Sequence, residues 1–328
     1  MRVTWFDGWS GELDEALKLL PEMDGCPNDI FKAVMIKPRA HAKRTALVSR
    51  RGEPVAVLGM RQIQGFQWQS AFQWLTPGAL GAARPEVLVD AFAALNLEIP
   101  LGWWRMPPPP PHPFVRAMET REVNRLTLDK DPEIYWKQTD YFRHIRNTRN
   151  RCAKLESRIN ARGAAEWVMR NWRKKWTGDA EDPSLEDRVD LMGHLEAIGR
   201  HFTISLHDGD TLIAGGTCQI HKGELVAGVI YFEPEAKKYN PGVRVIDLTF
   251  QFARERGLAA FDMGTGHAYK ASWAPKDGLQ HRFTVSPPHL YYARRAMNLA
   301  GRLSNAARGV GAQPGAKAEA SHTPDEGA

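Results

Sequence analysis

The sequence predicts an α/β fold built from two similar halves, in each of which a mixed, mostly antiparallel sheet is flanked by helices. Short apolar runs alternate with polar or glycine-containing turns, as in hairpin-connected strands, and a helical pattern comes before the last run of each half. The same order of elements recurs on both sides of a proline-rich segment. This recurrence indicates a duplication at the scale of a domain.

Each half is predicted to contain three strands, a helix and a closing strand. In the first half these elements are residues 45–50, 54–60, 66–75, 85–95 and 101–106. In the second half they are residues 201–207, 211–220, 224–232, 243–256 and 259–263. A crossover helix after three antiparallel strands returns the chain to a parallel strand, so each half predicts a mixed sheet covered by helices.

The proline-rich segment divides the chain. We predict an N-terminal domain (1–106), a spacer (107–113), a C-terminal domain (114–307) and a tail (308–328). Five consecutive prolines favour a stiff polyproline II rod, for which a docking ligand is the alternative. The tail is small and polar and cannot bury enough apolar surface to fold, so we predict that it is disordered.

The composition, with 43% hydrophobic and 25% charged residues, is that of an ordinary globular protein. No apolar stretch is long enough to span a membrane, and the first residues lack the apolar run of a signal peptide. We therefore predict a cytoplasmic protein. The three cysteines are far apart, and motifs typical of hydrolases, P-loop NTPases and zinc enzymes are absent from the sequence, so we expect no metal.

The loop before the second crossover helix has the features of an anion site. The helix is predicted to begin at Val243, directly after Gly242. The first turn of a helix offers unpaired N–H groups and a positive dipole end, and glycine lets the backbone approach a ligand closely. We expect Tyr239, Gly242, Val243 and Arg244 to bind a pyrophosphate, and an ordinary strand-to-helix turn is the alternative. Gly264, at the end of the closing strand, is also predicted to contact the cofactor.

The closing strand of the second half runs into two glycines and then into an aromatic and basic segment. It resembles the CelD-like acyltransferases of the GNAT superfamily, which are associated with bacterial polysaccharide synthesis and read Phe-Asp-x-Gly-x-Gly followed by Tyr-Lys and Trp. The matching positions are Phe261, Asp262, Gly264, Gly266, Tyr269, Lys270 and Trp273. The two-copy arrangement also resembles the Fem-type aminoacyl transferases. The resemblance covers about residues 125–285.

The resemblance implies an N-acyltransferase that moves an acyl group, most simply acetyl, from acyl-CoA to an amine of a small molecule, sugar or peptide. Such a transfer needs a base for the amine proton and an acid for the leaving thiolate. Asp262 and His267 are the candidate bases, Tyr269 is the candidate acid, and Lys270 is expected to pair with a phosphate or with Asp262. Capping of the loop by Asp262 and a structural ion pair of Lys270 are the alternatives.

Departures from the family pattern keep other functions open. The loop before Gly242 lacks the Arg/Gln-x-x-Gly-x-Gly/Ala pattern with which GNAT enzymes hold the CoA pyrophosphate. Fem-type enzymes take aminoacyl-tRNA as donor, so a tRNA-dependent aminoacyl transferase is the first alternative, and a double-GNAT scaffold without catalysis is the second. The first half lacks the Asp-x-Gly-x-Gly sequel, so we predict that it is degenerate.

The net charge of +6 comes from a single segment. Residues 143–162 hold seven basic side chains and one acidic side chain. Apolar residues recur at helical spacing over residues 141–159, which predicts one amphipathic helix with basic sides. The predicted anion-binding residues are Arg143, Arg146, Arg149, Arg151, Lys154 and Arg158. Their targets would be CoA phosphates, a tRNA backbone, or an anionic lipid or glycan, and an ordinary solvated face is the alternative.

Overall fold

The computed structural model describes residues 1–21, 27–36, 43–64, 67–70, 81–104, 111–178 and 184–307. Within this part of the chain there are two β-sheets and ten α-helices. The prolines at 107–110 and the predicted tail lie outside the described residues. None of the described helices is both long and apolar enough to cross a membrane.

The first sheet belongs to the N-terminal half and is antiparallel. Its strands follow the order β1-β2-β3-β4, and β5 also pairs with β3. The strands are β1 (Arg2–Phe6), β2 (Lys43–Arg50), β3 (Glu53–Gln64), β4 (Gln67–Ser70) and β5 (Gly81–Ala83). Helices α1 (Gly11–Leu19) and α2 (Asn28–Ile36) cover one face, and α3 (Leu88–Ala94) covers the other.

The second sheet joins the two halves of the chain. Its described strands follow the order β6-β13-β7-β12-β11-β10-β9-β8. In chain order they are β6 (Ile99–Trp104), β7 (Val115–Thr127), β8 (Glu156–Ile159), β9 (His201–Asp208), β10 (Thr211–His221), β11 (Glu224–Phe232), β12 (Ala260–Gly264) and β13 (Lys276–Val285). Strand β6 closes the first half but pairs with β13, so the predicted domain boundary at residue 106 stays a prediction.

Helices cover both faces of the second sheet. The helices after α3 are α4 (Pro132–Gln138), α5 (Phe142–Arg151), α6 (Ala164–Thr177), α7 (Ser184–Ala197), α8 (Pro241–Glu255), α9 (Lys270–Trp273) and α10 (Pro288–Ala307). Helices α6 and α7 lie on one face, α8 lies on the other, and α5 packs against α8. The predicted order of three strands, a helix and a closing strand is confirmed in the second half, as β9-β10-β11-α8-β12. In the first half an additional strand, β5, precedes α3, and the prediction of a parallel closing strand is wrong, because β6 pairs antiparallel with β13 of the second sheet.

The single helix predicted over residues 141–159 is wrong beyond Arg151. Helix α5 ends at that residue, and the N–H of Leu155 donates to the carbonyl oxygen of Cys152 in a turn. The next residues form β8 because the edge of β9 offers partners for their backbone groups, with Ile159 opposite Ile204. The apolar residues that recur at helical spacing over 141–159 therefore lie in three different elements: helix α5, the turn after it and strand β8.

Two adjacent glycines in β10 let helices pack closely on both faces of the sheet. Neighbouring strand residues face opposite sides, so Gly215 faces α6 and Gly216 faces α8. A Cβ atom at Gly215 would lie 2.6 Å from Cγ2 of Val168, and one at Gly216 would lie 2.7 Å from Cγ1 of Val245. Both distances are shorter than a van der Waals contact, so only glycine allows the helices to lie this close.

An aromatic core holds the chain that follows β12. The ring of Trp136 lies edge-on to the rings of Phe250 and Trp273, with centroid distances of 5.2 and 5.3 Å. Phe250 also contacts Phe261 of β12 at 4.5 Å. The indole N–H of Trp136 donates to the carbonyl oxygen of Trp273 at 3.1 Å. These buried contacts fix both ends of the loop that carries the predicted catalytic residues.

We expect Gly216→Ala to lower the free energy of unfolding by about 1–3 kcal/mol, because the new methyl group pushes α8 away from β10. Denaturant unfolding followed by circular dichroism measures this change. Gly193→Ala in α7 is the matched control, because nothing lies within 4 Å of its Cβ position and alanine favours a helix by up to about 1 kcal/mol. Equal destabilisation by both substitutions would contradict the close packing at Gly216.

Candidate active site

A cleft opens between the two parallel strands of the second sheet. Strands β11 and β12 pair only at Leu225 with Phe261 and at Val226 with Asp262. Strand β11 continues to Phe232, but these two fully described strands share no further pair. The crossover helix α8 connects the far end of β11 to the start of β12. The strands therefore separate toward their carboxyl ends, where a ligand can reach backbone groups of both.

A bulge in β11 lies at this opening. The pairing with β10 shifts by one residue, so Gly228 and Val229 both lie opposite Thr217. The N–H of Val229 donates to Oγ1 of Thr217 at 3.0 Å. A Cβ atom at Gly228 would lie 2.2 Å from this oxygen and 2.8 Å from the Thr217 carbonyl oxygen. Glycine is therefore required at the bulge, which bends β11 away from β12.

The first turn of α8 begins directly beyond β11. Asn240 has a φ of 58°, and Pro241 is the first helical residue. Among the described residues, the N–H groups of Gly242 and Val243 have no protein acceptor. These groups and the helix dipole make the turn suited to an anion, as the sequence predicts. Tyr239, which the sequence also predicts to bind the pyrophosphate, precedes this turn. Its carbonyl oxygen accepts a hydrogen bond from Sγ of Cys152 at 3.3 Å.

A buried ion-pair network locks α5 onto α8. Arg149 donates through Nε and Nη2 to both carboxylate oxygens of Asp247, at 2.9 and 2.7 Å. The Asp247 side chain is only 1% exposed and also pairs with Arg244 of its own helix. Arg149 further pairs with Glu133 of α4 at 2.8 Å. These hydrogen bonds, first of all with Asp247, raise the pKa of Arg149. The two predicted anion-binding residues Arg149 and Arg244 thus neutralise a buried carboxylate.

The docking of α5 on α8 brings Tyr141 and His144 to the start of α8. The side-chain amide of Asn240 donates to Nε2 of His144 at 2.8 Å. The ring of His144 packs against Tyr141 at 5.1 Å, and Tyr141 packs against Trp273 at 5.2 Å. Burial, with a smaller effect of Arg151, lowers the pKa of His144. A neutral imidazole is therefore available as the acceptor.

Burial raises the pKa of Tyr141 to about 12, and the nearby Tyr269 contributes to this shift. Tyr141 thus contacts His144 near the start of α8 and Trp273 at the end of the loop after β12. The sequence reasoning missed His144 and Asn240 and treated Tyr141 only as an apolar residue of α5. The sequence feature that could have pointed to Tyr141 and His144 is their spacing of three residues, which puts them on one face of a helix.

The loop after β12 is held by two of the predicted catalytic residues. Oδ1 of Asp262 accepts a hydrogen bond from the N–H of Gly264 at 2.6 Å. The ammonium of Lys270 donates to the carbonyl oxygens of Met263 and Thr265, at 2.7 and 2.6 Å. These contacts fix the left-handed backbone at Gly264, where φ is 74°. The geometry is that of loop-capping groups, and a catalytic role of either residue stays a prediction.

The other two predicted catalytic residues lie side by side. The rings of His267 and Tyr269 are stacked with a centroid distance of 5.8 Å. Partial burial lowers the pKa of His267, and the ammonium of Lys270 lowers it further. Desolvation raises the pKa of Tyr269. At neutral pH the imidazole is therefore unprotonated and the phenol protonated, so the pair offers one proton acceptor and one proton donor.

The predicted basic surface is divided by the structure. Arg149 is taken up by Asp247, and Arg158 lies on β8, where it pairs with Glu156 at 2.7 Å. The remaining predicted residues are exposed and make no ion pair within the described part of the chain: Arg143, Arg146, Arg151 and Lys154. No three His, Cys, Asp or Glu residues among those described form a group that could hold a metal ion.

Residues 139–271 match the family model of the acetyltransferase (GNAT) domain. The matched segment contains α5, the cleft between β11 and β12, and the loop with His267 and Tyr269. This segment is similar to acetyltransferase (GNAT) domains. The predicted GNAT resemblance and the prediction of an acyl-transferring enzyme are thereby confirmed. The locked α5 and the bulge of β11 are parts of this GNAT domain.

Solved structures with a similar fold cover both halves of the chain. L-PGS from Bacillus licheniformis is 12% identical, covers 85% of this chain and 92% of its own, and has a TM-score of 0.50. FemX is 11% identical, with coverages of 88% and 99% and a TM-score of 0.46. A tandem GNAT protein from the clavulanic acid biosynthesis pathway is 13% identical, with coverages of 87% and 99% and a TM-score of 0.47.

The likeness to L-PGS is one of fold and extends beyond the segment that the GNAT family model matches. It agrees with the predicted α/β fold of two halves. No curated protein has a significant sequence match to the chain.

We expect Arg149→Met to lower the free energy of unfolding by about 2–3 kcal/mol, because it leaves a buried carboxylate with only Arg244 as its charged partner. Arg146→Met is the matched control, because Arg146 is exposed on the same helix, and we expect a change within about 0.5 kcal/mol. Denaturant unfolding of both variants measures the difference. Similar stabilities of the two variants would show that the network does not hold α5 on α8.

Proposed function

We propose that the GNAT domain transfers an acyl group from acyl-CoA, most simply acetyl-CoA, to an amine of a small molecule, sugar or peptide. The observation that carries this proposal is the cleft that opens between β11 and β12 beside the first turn of α8. A CoA thioester is a long arm with a pyrophosphate at one end. The cleft suits the arm, and the N–H groups of Gly242 and Val243 suit the pyrophosphate.

The donor site would rely on backbone groups more than on arginine. Arg244 is engaged by Asp247, and Pro241 contributes no N–H group. The two free N–H groups and the helix dipole therefore supply the local positive charge. A CoA thioester donor also fits a cytoplasmic location, which we propose for the protein.

For the chemical step we propose His267 as base and Tyr269 as acid. The neutral amine attacks the thioester carbonyl, the C–N bond forms, and the C–S bond breaks. The imidazole of His267 takes the amine proton, and the phenol of Tyr269 gives its proton to the leaving thiolate. Asp262 and Lys270 serve by holding the loop in place, as their hydrogen bonds to Gly264, Met263 and Thr265 indicate.

A second candidate function has its own support. Arg143, Arg146, Arg151 and Lys154 are exposed on or next to α5, which packs beside the first turn of α8. Cations in this position would attract a polyanion as well as a single pyrophosphate, and an RNA backbone makes many such contacts. A Fem-like transferase that uses aminoacyl-tRNA is therefore the alternative.

We expect Gly242→Asp to weaken acetyl-CoA binding by about tenfold or more, because a carboxylate in the first turn of α8 repels the pyrophosphate. The same charge favours the helix itself, so the fold should be kept. Gly242→Ala is the control and should bind within about threefold of wild type, since it adds no charge. Isothermal titration calorimetry measures all three affinities. Unchanged binding by the Asp variant would contradict the proposed pyrophosphate site.

The same protein titrated with aminoacyl-tRNA distinguishes the two donors. Failure of acetyl-CoA to bind, together with tRNA binding that weakens steeply with salt and with Arg143→Gln and Arg146→Gln, would replace the first proposal by the second.

The pH dependence of kcat/KM tests the assignment of the base. Because burial and Lys270 lower the pKa of His267 from 6.5, we expect a limb that falls toward acid with its midpoint below pH 6.5. Protonation removes the base, so activity is lost as the pH falls through this value. In His267→Gln this limb should disappear and kcat should fall by about 10²–10⁴-fold. A retained limb in this variant would assign the base to another group.

A further inference from the structure

Helix α10 is strongly amphipathic. At 100° per residue most of its apolar side chains fall on one half of the helix, and Leu290 and Tyr291 lie outside it. The larger of them are Tyr292, Met297, Leu299 and Leu303, and alanines fill the positions between. The helix contains three arginines and no acidic residue. It therefore combines an apolar face with a net positive charge.

The apolar face of α10 is turned toward solvent. The exposed fractions are 63% for Tyr292, 54% for Met297, 59% for Leu299 and 63% for Leu303. A helix on the surface of a globular protein normally buries its apolar side. Continuous exposure of an apolar face marks a surface that another partner covers.

An ion pair links the polar side of α10 to the rest of the protein, and nearly all of the described side chains of the helix are exposed. Arg294 forms an ion pair with Glu98, whose side chain is only 1% exposed. Within the helix itself, Nη1 of Arg295 donates a hydrogen bond to the hydroxyl of half-buried Tyr291 at 3.1 Å. Because Arg294 lies opposite Tyr292 and Leu303 on the helix, its pairing with Glu98 holds the apolar face outward.

The charge of α10 indicates which partner covers this face. The helix contains no acid to match its arginines, so two copies of α10 packed face to face would bring like charges together. At an anionic lipid surface, leucine side chains can insert among the acyl chains and tyrosine can lie at the interface. The negative headgroups attract arginine. The described helices contain no span, and α10 is suited to lie in the plane of the interface.

We propose that α10 binds the protein to the surface of an anionic bilayer, with Tyr292, Leu299 and Leu303 inserted among the lipids. The helix is modestly apolar, since alanines make up much of the inserted face, so its binding depends on charge as well as on burial. Attachment is therefore peripheral, reversible and sensitive to salt. It keeps the acyltransferase near an interface whatever its acceptor is.

Vesicle flotation with the full chain tests this proposal. We expect the protein to float with vesicles of phosphatidylcholine and phosphatidylglycerol in equal parts, and to remain behind with phosphatidylcholine alone. Leu299→Asp combined with Leu303→Asp should weaken binding by at least about tenfold, since it places charge on the inserted face. Leu19→Asp is the matched control because Leu19 is 60% exposed on α1, and it should float as wild type does.

Replacement of Arg295 by glutamine should weaken binding to the anionic vesicles by about fivefold, which corresponds to about 1 kcal/mol for one arginine near such a surface. Equal flotation of wild type and the double aspartate variant would overturn the proposal. So would sedimentation equilibrium that shows, without vesicles, a dimer that the double variant abolishes, because α10 would then be covered by a second copy. All the substituted leucines are exposed, and circular dichroism checks that the variants stay folded.

Discussion

The arrangement of the candidate active site depends on one buried carboxylate. Asp247 lies within α8 with its side chain almost fully buried, where an unpaired charge would cost several kcal/mol. Arg149 supplies the main compensating charge from α5, so α5 has to dock against α8. This docking brings His144 to Asn240 at the start of the helix. The ion pair is therefore structural, yet it determines what surrounds the turn that is suited to an anion.

The same network limits which positive groups are available to the proposed acyl donor. A chain with several arginines near a helix start suggests a site built on arginine, but Arg149 and Arg244 are engaged by Asp247. Backbone N–H groups and the helix dipole remain as the local positive groups. Farther along, burial disfavours the charged forms of both His267 and Tyr269. Desolvation thus leaves a neutral imidazole and a neutral phenol side by side.

The two halves of the chain are joined by more than a linker. Strand β6 comes from the first half and pairs with β13 at the edge of the second sheet. Ile99 and Leu101 of β6 share one core with Phe283 and Val285 of β13 and with residues of the first sheet. Glu98, which anchors α10, directly precedes β6. The first half therefore supports the GNAT domain and the outward face of α10 through the same strand.

The sequence by itself determined the strands, turns and helices of the two repeats, because these follow from local alternation, turn residues and the period of neighbouring side chains. It also determined the glycine-rich end of β12 and the loop with His267 and Tyr269. It did not predict β1, β5, β7, β8 or β13. It could not place Arg149, whose partner Asp247 is 98 residues away, and it extended α5 through residues that pair as β8. Only the tertiary structure decided these points, because charge pairing and strand pairing depend on which distant elements pack together. Local periodicity carries no information about that choice.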